Sequence, residues 1–187
     1  PVCDDETLQF LLLTLKMVKP KKILEIGTAV GLSGVAMLQE LENAKLKKGF
    51  SVFAVTSSTE SEGKTTCSSN IALSLAKSGK SVLLIDADLR RPAVCKTLGI
   101  SIEGEKGIYD IVTGKKTFEE SVKYIEKLNL YLLVASAAVQ DPSETLASEA
   151  MHNIIKQARE NFDYVIVDCP PAGVVADAAI VANYTDS

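Results

Sequence analysis

The sequence predicts an α/β fold in which a mainly parallel sheet of about five strands carries helices on both faces, in three layers. Three observations predict it. Short apolar runs rich in β-branched residues, KILEI, SVFAV, SVLLI, LYLLV and YVIV, alternate along the chain with helical patterns, as strands joined by crossover helices do. The runs are apolar throughout rather than at every second position, which marks strands buried on both faces. The passage from run to helix goes through small polar residues and glycine, most clearly in SVFAVTSSTESEGKTTCSSN at 51–70.

Composition narrows the class. At 187 residues, with 47% apolar and 24% charged residues, the chain can bury a sizeable core without disulfides or metal. Its 20 Lys+Arg against 24 Asp+Glu give a net charge of -4, so a broad nucleic-acid surface is not expected. No apolar run approaches the roughly 20 residues of a membrane helix. The first residues lack the order of a signal peptide, and the expected location is cytoplasmic. Cys3, Cys67, Cys95 and Cys169 form no CxxC pair and His152 is the single histidine, so the thiols are expected to be reduced and packed as small hydrophobes. Cys67 and Cys169 abut candidate phosphate motifs and are the two to check for reactivity. His152 is expected to pack or lie on the surface of a helix.

Taken in order, residues 4–18 show helical spacing, with Asp4, Asp5 and Glu6 in the first turn and Pro20 beyond the end. KILEI is a strand, Gly27, Gly31 and Gly34 punctuate the loop after it, and GVAMLQELENA continues as a helix. SVFAV is the next strand, and the helix after its loop closes at Gly79. SVLLIDADLRRP is a strand whose end bears Asp86, Asp88 and Arg90. GIYDIVTG and TFEESVKYIEKLN read as two small helices over the sheet edge or above the site. LYLLVAS is a strand, Pro142 and Ser143 open a helix, MHNIIKQAREN carries it to Phe162, and YVIVDCPPAG is a strand ending in Asp168.

Chemistry gathers at the strand ends. A strand that runs through Ser58, Thr59, Glu60, Ser61, Glu62, Gly63, Lys64, Thr65 and Thr66 into a helix offers backbone N–H groups, a helix N-terminus and a lysine to one point, as a nucleotide's phosphates require. The usual pattern GxxxxGK[ST] has glycine where this chain has Ser58. Asp86 and Asp88 straddle the pleat, and can share a role if the chain turns just after Asp86. They would bring hard oxygen ligands near a phosphate-bound metal. Asp168, at the tip of an apolar strand, is the expected holder of a magnesium water shell. The alternative for each is a solvated charge or a structural turn.

Together, TSSTESEGKTT, VLLIDADLRRP and DYVIVDCPP, with GIYDIVTG and DPSETLAS, resemble the cytoplasmic catalytic domain of the bacterial tyrosine kinases of capsular and exopolysaccharide synthesis, which have a P-loop fold related to the MinD/ParA group. The likeness runs from about residue 50 to residue 187. It implies binding of ATP and Mg²⁺ and phosphoryl transfer to tyrosine hydroxyls. Lys64 would contact the β- and γ-phosphates and Thr65 would ligate Mg²⁺, with Thr66 and the amides of Glu62 and Gly63 cradling phosphate. Asp86 and Asp88 would be the second Walker-type motif, one shaping the metal environment and one a base for the acceptor; Asp168 would be the Walker B aspartate. Arg90 and the loop from Ser58 to Ser61 would complete the nucleotide site. Implied partners are ATP or ADP, a membrane-embedded polysaccharide co-polymerase or activator at the inner membrane face, and tyrosine-bearing proteins. Two departures stand out. Glu60-Ser61 replaces the family's Pro-Gly, so a positive φ at 61 would cost on the order of 1–2 kcal/mol. Ser58 also stands where MinD/ParA relatives have their signature lysine.

Residues 1–44 instead resemble the first motif of S-adenosylmethionine-dependent O-methyltransferases of the catechol and caffeoyl-CoA type, through Glu25, Gly27 and Gly31. The expectation is one α/β domain over 1–187, made of a methyltransferase-like unit at 1–44 joined to a kinase-like core at 50–187. KILEI would pair in parallel at the sheet edge. The family's ring-forming arginine helix has no counterpart before SVFAV, which leaves oligomerisation open, and ANYTDS falls short of the adenine-side segment and tyrosine-rich tail. Three readings follow: a tyrosine kinase core, a nucleotide-binding module or composite without turnover, and a methyltransferase. The last lacks an acidic ribose ligand, since the next strand ends in Thr56-Ser57.

Overall fold

The first predicted strand after residue 50 forms at Val52–Val55 (β1) and passes through the phosphate-loop sequence into a 14-residue helix, Lys64–Lys77 (α1). The computed structural model describes residues 51–101, 107–135, 139 and 141–186. The expectations for residues 1–50, namely the helix at 4–18, the KILEI strand with its sheet pairing and the methyltransferase-like unit, lie outside the described residues. After α1 come Val82–Asp86 (β2), Val94–Thr97 (α2), Ile108–Val112 (α3), Phe118–Ser121 (α4), Lys123–Ile125 (β3) and Leu130–Leu133 (β4). The remainder is Pro142–Ala147 (α5), Glu149–Asn161 (α6), Tyr164–Asp168 (β5) and Asp177–Ala182 (α7).

The strands form one sheet in the order β1-β5-β2-β4-β3, parallel except for the β3–β4 pair. Every residue of β2 and β5 is buried, as central parallel strands require. One face packs Phe53, Val55, Leu84 and Ile166 against Ile71, Ala72 and Leu75 of α1 and Val94 of α2. The other packs Val52, Leu83, Ile85, Val165 and Val167 against Met151, Ile154 and Ile155 of α6, with Leu146 and Val181 from α5 and α7. These are the three expected layers.

Register places the chemistry. Val55 pairs with Asp168, and Asp168 with Asp86, so three strand tips stop at one level, where ligands of such sheets bind. At the far end of the outer strand, the Asp186 carboxylate accepts the N–H groups of Ser51 and Val52 at 2.9 and 3.0 Å, and its own N–H donates to Val52 O.

Two expectations need correction. TFEESVKYIEKLN is not one small helix: α4 stops at Ser121, Val122 turns extended at ψ 128°, and residues 123–125 form an antiparallel edge strand before a 3₁₀ turn at Glu126–Leu128. Tyr124 stands opposite Tyr131, with ring centroids 4.8 Å apart; an aromatic cross-strand pair of this kind stabilises a short edge, and it depends on a partner that local spacing cannot see. The helix opened by Pro142 also does not run on to Phe162. It breaks at Ser148, which adopts ψ 152° and whose hydroxyl accepts Met151 N–H at 3.1 Å, so that it caps α6.

Candidate functional site

The loop between β1 and α1 is built by a few specific clasps. Thr56 Oγ1 donates to Pro170 O at 2.6 Å and Ala172 N–H to Ser57 O at 2.8 Å, which holds the loop's start against the segment after β5. A Cβ on Gly173 would lie 2.2 Å from Ser58 O, so only glycine allows that approach. Gly63 takes the left-handed conformation at φ 90° just before α1. Ser61 has φ 64°, so the cost foreseen for a serine at this position is present. No side chain caps the start of α1 and no acidic residue occupies its first turn; its N–H groups and positive dipole end therefore face a cavity of about 520 Å³.

Lys64 is the centre of the cluster. Its Nζ donates to Asp88 Oδ2 at 2.9 Å and to Thr65 Oγ1 at 3.3 Å, and lies 3.6 Å from Asp168 Oδ2. Thr65 Oγ1 donates to Asp168 Oδ2 at 2.8 Å, and Ser68 Oγ to Asp168 Oδ1 at 3.0 Å. The structure thus brings together Lys64, Thr65, Asp88 and Asp168 as the sequence predicts. Asp86 lies beside them, but its carboxylate is committed to backbone: Oδ2 accepts Ala93 and Val94 N–H at 3.1 Å each, and Oδ1 accepts Asp88 N–H at 3.3 Å. That turn lets Asp86 and Asp88 sit in one cluster despite the pleat.

One ammonium serves three carboxylates, and the protonation of Asp86 and Asp168 reflects it. Burial, with Asp168 close by, pushes the Asp86 carboxyl up to about 7. Burial also raises Asp168, against the pull of Lys64 and the two hydroxyls. For Lys64, burial opposes the charge, but Asp168, Asp88 and Asp86 outweigh it and hold the ammonium above its usual range. The net excess of buried negative charge suits a divalent cation. Among the described residues no group of three or more His, Cys, Asp or Glu forms a metal cage. Magnesium, however, is commonly held by one or two protein oxygens together with phosphate and water, and the Thr65 hydroxyl and Asp168 fit that donor set.

The other predicted residues divide. Glu60, Ser61, Gly63 and Thr66 line the cavity. The Ser58 and Thr59 amides are already taken by the Glu62 carboxylate, at 2.9 and 3.1 Å. Arg90 borders the cavity, yet its guanidinium is turned to Asp177 and Ser143: Nε to Asp177 Oδ2 is 2.8 Å and Nη2 to Ser143 Oγ 3.0 Å. Exposed Arg91 pairs with Glu60 instead. Sequence reasoning missed Ser68, whose signal was its place one turn beyond Thr65 on α1. It also missed Asp177, the bond Ser143 makes to it, and the apolar wall of Pro170, Pro171, Val174 and Val175, of which only the two prolines, in DYVIVDCPP, had a local signal. The thiols of Cys67 and Cys169 are buried, and burial drives that of Cys169 far above the usual range, so it is inert as a nucleophile. His152 stacks on Tyr184 with centroids 5.2 Å apart.

Comparison with known proteins shows the family. The AAA domain family model matches residues 51–185. Tyrosine-protein kinase YwqD of Bacillus subtilis is 34% identical over 146 residues, covering 78% of this chain and 61% of that protein. The succinoglycan biosynthesis transport protein ExoP of Rhizobium meliloti is 37% identical over 138 residues, 72% of this chain and 17% of ExoP. The kinase domain of the Escherichia coli tyrosine kinase ETK superposes with a TM-score of 0.77 at 30% identity, over 82% of this chain and 60% of that domain. The chain thus spans less than two thirds of the length of each of these relatives. It belongs to the AAA domain family, within the P-loop group that holds the bacterial tyrosine kinases.

Proposed function

We propose that this chain is the ATP-Mg²⁺-binding core of a protein-tyrosine kinase, transferring the γ-phosphoryl group of ATP to tyrosine hydroxyls in the control of polysaccharide synthesis or export. The observation that carries the reading is the contact set around Lys64: an ammonium at an uncapped helix start, 2.9 Å from Asp88 and 3.6 Å from Asp168, with Thr65 bonded to the same Asp168. Likeness to YwqD, ETK and ExoP supports the substrate class and the link to polysaccharide.

In this reading the amides at the start of α1 and Lys64 bind the β- and γ-phosphates and hold the γ-phosphorus facing the cavity. Magnesium, when bound, would supply charge neutralisation to the phosphates, and Thr65 and Asp168 would hold it. Asp86, occupied by three backbone N–H groups, shapes the turn rather than meeting substrate. Asp88 is then the base: its carboxylate takes the tyrosine hydroxyl proton as that oxygen bonds phosphorus and the bond to ADP breaks. Lys64 offsets the charge on the transferring group, so positioning and electrostatics provide the rate. Arg90, held by Asp177 and Ser143, borders the cavity without offering its guanidinium to a phosphate. A membrane-embedded co-polymerase partner and tyrosine-bearing protein substrates are part of the proposal; among the described residues no helix is long and apolar enough to cross a membrane.

The test is calorimetric titration of ATP-Mg²⁺, ADP and S-adenosylmethionine, followed by label transfer from γ-labelled ATP to a tyrosine peptide. ATP-Mg²⁺ should bind, and Lys64→Ala should weaken it about 10- to 150-fold, the loss of one or two charge-assisted bonds. Binding of S-adenosylmethionine alone would overturn the reading. Binding of ATP with no transfer would leave a nucleotide-binding module.

A further inference from the structure

Glu62 is the acidic residue of the phosphate loop whose carboxylate turns back on the loop itself. Its Oε2 accepts Ser58 N–H at 2.9 Å and Thr59 N–H at 3.1 Å, donors that a loop of this kind would otherwise offer to an anion. Between the two ends of this contact lies Ser61 at φ 64°, a conformation that L-residues other than glycine resist. The loop's first residues are clasped from outside by Ala172 N–H on Ser57 O and by the close approach of Gly173 to Ser58 O, and from within by Ser57 Oγ, which donates to Thr59 O at 2.7 Å. Its last residues belong to α1. The Glu62 carboxylate ties the clasped start to the helical end across the strained serine, whereas the neighbouring Glu60 carboxylate reaches outward to Arg91.

Resting on the nucleotide reading above, we propose that Glu62 is a positioning residue for nucleotide binding: a carboxylate strut that holds Ser61 in its left-handed conformation and reserves the Ser58 and Thr59 amides, so that the phosphates are cradled by amides from Gly63 onward. The hydrogen bonds from those two backbone amides, Thr59 first, keep the Glu62 carboxyl of this half-buried residue below its usual range. The strut is therefore charged throughout the neutral range.

The proposal separates from a merely solvated surface glutamate through its coupling to position 61. Glycine adopts φ 64° without support, so relieving the strain should make the strut dispensable. Full-chain protein carrying Glu62→Ala, Glu62→Gln, Ser61→Gly, or Glu62→Ala with Ser61→Gly is titrated with ADP-Mg²⁺. Amide exchange across residues 58–61 is measured in the absence of nucleotide. Glu62→Ala should weaken ADP-Mg²⁺ about 10-fold and speed exchange at residues 58 and 59. Glu62→Gln, which retains an acceptor oxygen, should recover part of the loss, and the double variant most of it, as coupled neighbours do. Unchanged affinity in Glu62→Ala, or a double variant no better than the single, overturns the proposal. Tighter binding also overturns it and makes the carboxylate a competitor of phosphate. If the parent protein binds no nucleotide, the functional reading fails, and unchanged exchange in Glu62→Ala then rejects the strut independently.

Discussion

Two buried clusters a short way apart handle carboxylates in opposite ways. Around Lys64 one ammonium faces Asp88, Asp168 and Asp86, and both Asp86 and Asp168 are pushed toward the protonated form. Beyond it, Asp177 meets one guanidinium and one hydroxyl: Arg90 Nε at 2.8 Å and Ser143 Oγ, which donates to Asp177 Oδ1 at 2.6 Å. Burial opposes ionisation of Asp177 as well, yet the Arg90 and Ser143 bonds outweigh it and leave that carboxyl below its usual range. The difference is one of stoichiometry and use. The Asp177 cluster is complete and acts as a latch joining the turn after β2 to α5 and α7. The Lys64 cluster is incomplete without added positive charge, which suits a site that waits for a cation and its nucleotide.

The strongest way to break this comparison is pH. Asp86 holds its proton up to about 7 in the folded chain but releases it near 4 when unfolded. Between those values the native state binds more protons, so stability is fullest below about pH 4 and falls as pH rises through about 7. The nucleotide-free protein should lose up to about 1.4 kcal/mol per pH unit across this window, less any opposing titrations. Asp86→Asn should flatten that slope in denaturant melts, whatever it does to absolute stability. The Asp177 cluster predicts the reverse sign: its carboxylate contributes above about pH 4 and is lost only at lower pH. A melt that strengthens steadily from pH 5 to 7.5 would contradict the contrast.

Arg90→Ala comes next. It strips Asp177 of its cation, and because that carboxylate is 1% exposed while Arg90 is 41% exposed, the cost should be about 1–3 kcal/mol, below that of a fully buried broken pair. Urea unfolding measures it; no loss would mean that the latch is ornamental. Smallest is Ser143→Ala, which removes one neutral partner of Asp177 and should cost about 1 kcal/mol. Combined with Arg90→Ala, its effect should depart from additivity, since both act on one carboxylate.

Much of this fold was legible in advance because its signals are local. A strand buried on both faces needs an unbroken apolar run, and SVFAV, VLLI, LYLL and YVIV supply it. Gly63-Lys64-Thr65 announces itself because the chemistry is carried by adjacent residues at one helix start. Asp86 and Asp168 were legible as a pair because both end such runs, and parallel register brings run ends level. What was not legible needed partners distant in sequence. Tyr124 reads as helical until Tyr131 stands across from it. Arg90 reads as part of the nucleotide site until Asp177, 87 residues away, takes its guanidinium. Ser148 reads as helix interior until its hydroxyl is seen capping the next helix.

The sequence by itself therefore determined the strands, the glycine-bearing loop between β1 and α1 and which residue types crowd the strand tips, since periodicity, burial and adjacency are written into neighbouring positions. Only the tertiary structure decided how those residues share the work. Lys64 takes Asp88 rather than Asp86, because Asp86 is claimed by the turn it forms. Arg90 is a latch, and Glu62 closes the loop on itself. Each assignment is a competition among donors for a limited number of carboxylate oxygens, and its outcome depends on which groups the fold brings within about 3 Å.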